Sequence, residues 1–127
     1  MKKILCVVET PYRATQEEQD DATLWLTHAL KNAGGTMGIV LRGNAVNYAV
    51  GSQDPTGIVI GKLMIERPPF PQNDLLKMKN AGIPVHVVRE DAEERGIALD
   101  SLVKDFTLVG RDELAALFSL YDQVWHW

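Results

Sequence analysis

A chain of 127 residues with 46% hydrophobic content is the size of one compact domain and can bury a core without disulfides or a structural metal. Its formal net charge of −4, without any run of Lys and Arg, offers no footprint for a phosphate backbone, so direct nucleic-acid binding is not expected. A single cysteine cannot close an internal disulfide, and no apolar stretch reaches the roughly 18 residues of a membrane span, so a reducing, cytoplasmic location away from membranes is the expectation.

The basic opening of the chain resembles that of a signal peptide, but its apolar run stops at Glu9, short of an export segment. Residues 4–8 read instead as a first strand, continuously apolar as in a sheet covered on both faces. In Thr15-Gln16-Glu17-Glu18 the threonine can cap a helix while Glu18 reaches back, which predicts a first helix from about Gln16. Ala22, Leu26, Ala29 and Ala33, widened by Trp25 and Leu30, form its expected core face, and Gly34-Gly35 ends it. Residues 36–41 are a second strand. Arg42-Gly43-Asn44 turns into a short helical stretch over 45–50, and residues 54–57 form a turn.

Residues 58–65 are apolar without a period that assigns them, and the prolines at 68, 69 and 71 forbid regular structure just beyond. A helix follows over 72–80 and a third strand over 83–88. The charged segment 89–95 closes on Gly96, and a helical turn is expected over 100–103. A fourth strand at 106–109, a helix opened by Gly110-Arg111-Asp112-Glu113 and a terminal strand at 123–127 complete the chain. Five strands alternating with helices predict a single domain over 1–127, an α/β three-layer α/β/α sandwich around a five-stranded, mostly parallel sheet.

Ligands in such sheets bind beyond the carboxyl ends of the strands. Glu9, Tyr12, Arg42, Asn44, Arg89 and Arg95 stand there, either as a small-ligand pocket or as ordinary loop residues. No GxGxxG follows a strand and no Walker loop exists, so no dinucleotide cofactor is expected. His28, His86 and His126 lack a second ligand at metal spacing. The neighbouring acids at 17–18 and 20–21 point apart on a helix, and Cys6, in the middle of an apolar strand, reads as buried filler.

Several pieces in order resemble the DsrE/DsrF/TusD group of sulfur-relay proteins, including its small YchN-like members. They are Thr10-Pro11-Tyr12 after the first strand, the alanine-rich first helix, the glycine turn after the second strand, Ile83-Pro84-Val85-His86-Val87-Val88 and Arg95-Gly96-Ile97. Phe106-Thr107-Leu108-Val109-Gly110-Arg111-Asp112-Glu113-Leu114 then leads to Asp122-Gln123-Val124. The resemblance spans essentially the whole chain. It implies a five-stranded parallel sheet, cytoplasmic sulfur metabolism, and assembly into trimers or hexamers of like chains or of related DsrE-like subunits.

Active members of the group receive a sulfane sulfur as persulfide on a cysteine at the end of the third strand. The matching position here is Val88, and Asp91 stands where some YchN-like members carry a second cysteine. No catalytic residue carries over, and the acids at 90, 91, 93 and 94 would oppose a thiolate there. The expected function is therefore a non-catalytic DsrE-like scaffold or binding partner. Its rival is a small-ligand or anion-binding protein, or an enzyme, using the strand-end residues. The segment 57–71 is longer than the corresponding link in small members of the group, and its apolar residues are expected either at a subunit contact or folded onto the chain's own core.

Overall fold

A computed structural model of the chain describes residues 2–11, 21–66 and 68–127. Strand β1, Lys3–Val8, leads to helix α1, Ala22–Asn32, and then to β2, Thr36–Leu41. A 3₁₀ stretch, Gly43–Ala49, precedes two short strands, β3 (Ile58–Ile60) and β4 (Leu63–Ile65), which form an antiparallel hairpin. Helix α2, Pro71–Asn80, is followed by β5, Val85–Val88, and directly by a short helix α3, Arg89–Glu94. A 3₁₀ turn, Leu99–Ser101, leads to β6, Thr107–Val109, then helix α4, Leu114–Ser119, and β7, Gln123–His126.

The main sheet has the order β6-β5-β2-β1-β7 with every pair parallel, as the uninterrupted apolar strands require. From β1 to β2, β5 and β6 the chain steps in one direction, and from β6 to β7 it returns across the whole sheet. With crossovers of constant hand, the first connections belong on one face and the last on the other. The packing agrees. Cys6, Val8, Ile39, Leu41, Val85 and Val87 meet Leu24, Leu75, Met78 and Ala92 on one face, while Leu5, Val7, Val40, Val88 and Val109 meet Leu114 and Leu117 of α4 on the other. Three layers result, the expected sandwich. Gly38 makes the second face close, because a Cβ there would lie 2.2 Å from the Tyr121 hydroxyl.

Two sequence expectations need correction. The described helix α1 begins at Ala22 with Asp21 as its extended N-cap, not near Gln16; the Thr15 to Glu18 capping signal lies outside the described residues. The face of α1 that is buried is Thr23, Leu24 and Thr27, whereas Trp25 is 60% exposed. Threonine can take these positions because the Thr27 hydroxyl donates to the Thr23 carbonyl at 2.8 Å, so it enters the core with its polar group satisfied. The charged segment after β5, left unassigned above, is α3, and the unassigned apolar stretch 58–65 is the hairpin.

Candidate functional site at the carboxyl ends of the strands

Because the five strands are parallel, all their carboxyl ends share one edge of the sheet. β5 feeds α3, whose Ala92 packs on the first face, and β6 feeds α4 on the second. The connections thus leave β5 and β6 toward opposite faces, which makes the ends of these two strands the point where open parallel sheets place their ligands. Val88 ends β5 there, fully buried, with its side chain in the apolar cluster under α4.

The polar groups along this edge form a belt that follows the spatial order of the strands. After β6, the Arg111 guanidinium pairs with Asp91 and, at 3.1 Å, with Glu94, and the Arg111 N–H donates to Glu90. Asp91 also accepts the Gly43 N–H at 2.8 Å, tying α3 to the end of β2. Gly43 has a φ of +56°, a left-handed conformation that turns its N–H toward this carboxylate at no steric cost. Arg95 donates to the Asn44 side-chain oxygen at 2.8 Å and to the Asp91 carbonyl at 3.0 Å. Farther along, Arg42 faces Glu9 at 3.9 Å, and Glu9 meets His126 of β7 at 2.6 Å.

Asp91 is the buried centre of the belt, 7% exposed. Burial by itself would raise its carboxyl, but the Gly43 N–H, the Arg111 hydrogen bond and the charges of Arg111 and Arg95 outweigh it and hold the group below the ordinary carboxylate range. The acids of α3, which read from sequence as opposing a thiolate, are in part neutralised, since Glu90, Asp91 and Glu94 all engage Arg111. The Gly110 N–H, at the end of β6, donates to Glu113 at 2.9 Å.

Of the residues singled out from sequence, Glu9, Arg42, Asn44 and Arg95 come together in this belt, Arg89 is exposed at the start of α3, and Tyr12 lies outside the described residues. Sequence reasoning missed Arg111 and His126, although both follow or end strands and the rule that selected Glu9 and Arg42 would have found them. Cys6 is 1% exposed, and its Sγ lies 3.4 Å from the Thr27 hydroxyl oxygen. Burial pushes its thiol up, and the Thr27 hydroxyl opposes this only in part. His86 bonds through Nδ1 to the Ile39 carbonyl at 3.3 Å, and burial holds its pKa down. Among the described residues no three His, Cys, Asp or Glu side chains gather as a metal-ligand set, and no helix is long and apolar enough to cross a membrane.

No family model and no curated protein matches this sequence. Solved structures do. The ychN protein from E. coli superposes over 100% of both chains with a TM-score of 0.75 at 23% identity. BT1422 from Bacteroides thetaiotaomicron, a conserved protein of unknown function, matches over 99% of this chain and 95% of its own with a TM-score of 0.69 at 16% identity. MTH1491 from Methanobacterium thermoautotrophicum, also of unknown function, covers 97% of each chain with a TM-score of 0.63 at 10% identity. At these identities the likeness shows the fold, which is the YchN-like five-stranded parallel sheet with flanking helices.

Proposed function

We propose that this chain is a DsrE-like protein of cytoplasmic sulfur handling that does not itself carry sulfur and serves as an oligomeric scaffold or binding partner, with copies of itself or with related subunits. The observation that carries the reading is Val88, which occupies the end of β5 in a YchN-like fold and is packed among Leu5, Val7, Val40 and Val109. A persulfide carrier needs an accessible thiol with stabilised thiolate. The one cysteine of the chain is Cys6, buried in the middle of β1 with its thiol pushed up. Incubated with a polysulfide donor and then analysed by intact-mass spectrometry, the purified protein is expected to keep its mass. Sulfur added to Cys6 and then delivered to an acceptor protein would overturn the reading.

A second reading, an anion or small-ligand site, has in its favour the four arginines 42, 89, 95 and 111 on one edge of the sheet. Against it, Arg111 is held by Asp91 and Glu94, and Arg95 by Asn44 and the Asp91 carbonyl. A melting temperature raised by millimolar inorganic sulfate or phosphate, beyond the effect of chloride at matched ionic strength, would favour this reading over the first.

A further inference from the structure

The hairpin β3–β4 presents an apolar surface on both of its sides. In its register Ile58 faces Ile65, Val59 faces Met64 and Ile60 faces Leu63. Side chains alternate between the faces of a strand, so Ile58, Ile60, Leu63 and Ile65 form one side and Val59 and Met64 the other. Their exposures are 51% for Ile58, 53% for Ile60 and 57% for Leu63 on the first side, and 62% for Val59 and 60% for Met64 on the second. Folding back onto the chain's own core, the alternative considered from sequence, would bury at least one side, and neither is buried.

We propose that the hairpin is a self-association element that docks against a second copy of this chain. The inference deepens the scaffold reading by naming the surface, but it draws on residues remote from Val88 and Asp91. Three observations point to a second copy. First, these five side chains leave on the order of 500 Å² of apolar surface open over the two sides of the ribbon together, grouped rather than scattered singly as on an ordinary surface. Two copies, each covering both sides of the other's hairpin, would bury roughly 1,000 Å², the lower bound for a specific interface, before any flanking surface is added.

Second, a two-stranded ribbon keeps one unpaired edge on each strand, and three-residue strands are marginal as an isolated hairpin. An identical edge, brought up about a twofold axis, is its own complement and extends the ribbon to four antiparallel strands. Third, Lys62 in the turn is the only charged residue from 58 to 65, so a strongly charged partner would find little to recognise. The chain's net charge of −4 likewise disfavours an anionic lipid surface.

Light scattering coupled to size-exclusion chromatography tests the proposal on the full chain. Wild type is expected to be oligomeric at micromolar concentration. Two double variants, Ile60→Asp with Leu63→Asp and Val59→Asp with Met64→Asp, place charge on one side each, at positions already exposed, so the core is untouched. Far-ultraviolet circular dichroism checks that each remains folded. At least one is expected to fall to a smaller species with at least tenfold weaker association. Wild type that is monomeric at high concentration overturns the proposal, whether or not it floats with phosphatidylglycerol vesicles. An unchanged oligomer in both folded variants overturns it too, while leaving the scaffold reading standing on another interface. The persulfide assay reads Cys6 and Val88 only, so the two ideas fail separately.

Discussion

At the scale of single residues, Asp91 does most to organise the strand ends, and nothing in its local sequence announces this. It sits among Glu90, Glu93 and Glu94 in a charged segment to which the sequence assigned no element, and where these acids read as opposing a thiolate. Its function depends on two groups distant in sequence, the Gly43 N–H and the Arg111 guanidinium, which only the sheet order brings near. Asp91→Ala leaves that N–H without its acceptor and Arg111 without its most buried partner, and is expected to cost about 1–3 kcal/mol at neutral pH. A carboxyl whose pKa is lower folded than unfolded contributes stability in full above its unfolded value of about 4 and loses it as pH falls through the folded value. The stability gap between wild type and Asp91→Ala in urea titrations is therefore expected to narrow below about pH 4. A gap of constant size down to pH 2 would mean that the charge of Asp91 contributes nothing to the fold. The pairs of Glu9 with Arg42 and His126 are exposed by comparison, and exposed pairs are worth about 0–1 kcal/mol.

Elements differ in how far the sequence disclosed them, and the difference follows from burial. β2 was legible to its exact ends because a strand covered on both faces is apolar throughout and a glycine pair marks its entry. The hairpin was not, since its two sides are both apolar and the alternation that normally marks a strand is missing. Helix α1 was legible as a helix but rotated about its axis, because alanines and a tryptophan looked more like core than threonines did. Asp21, 1% exposed, accepts the N–H groups of Thr23 at 2.8 Å and Leu24 at 3.2 Å, and its second oxygen takes the Tyr48 hydroxyl at 2.7 Å. One carboxylate thus caps α1 and anchors it to the 3₁₀ stretch after β2. Asp21→Ala is expected to cost about 0.5–2 kcal/mol through the cap alone. In a double-mutant cycle with Tyr48→Phe, the coupling energy from denaturant unfolding should reach at least about 0.5 kcal/mol. Strictly additive losses would show that the two side chains do not meet in solution.

At the scale of the whole molecule, the described residues cover the two sides of the sheet unequally. The first side carries α1, α2, α3 and the 3₁₀ stretch over a core that includes Leu24, Tyr48, Leu75 and Met78, each 1% exposed or less. Among the described helices the second carries α4, six residues long, whose Leu114 and Leu117 remain 8% exposed. β7, reached by the return crossover, is an edge strand whose Val124 is 40% exposed. Both ends of β7 are fastened: the Lys3 N–H donates to the Asp122 carboxylate at 2.7 Å, and the Trp127 N–H to the Val7 carbonyl at 2.9 Å. Such bonds contribute about 1 kcal/mol each, less than the burial of even one or two large apolar side chains. The thinner layer should therefore open before the thicker one. Native-state hydrogen exchange is expected to show the amides of α4 and β7 exchanging at least about tenfold faster than those of β1 and β2, through an opening smaller than global unfolding. If all four elements exchange with one common free energy and one common denaturant dependence, α4 and its seven-residue cluster are as integral to the fold as the larger core, and the asymmetry of the two sides has no energetic expression.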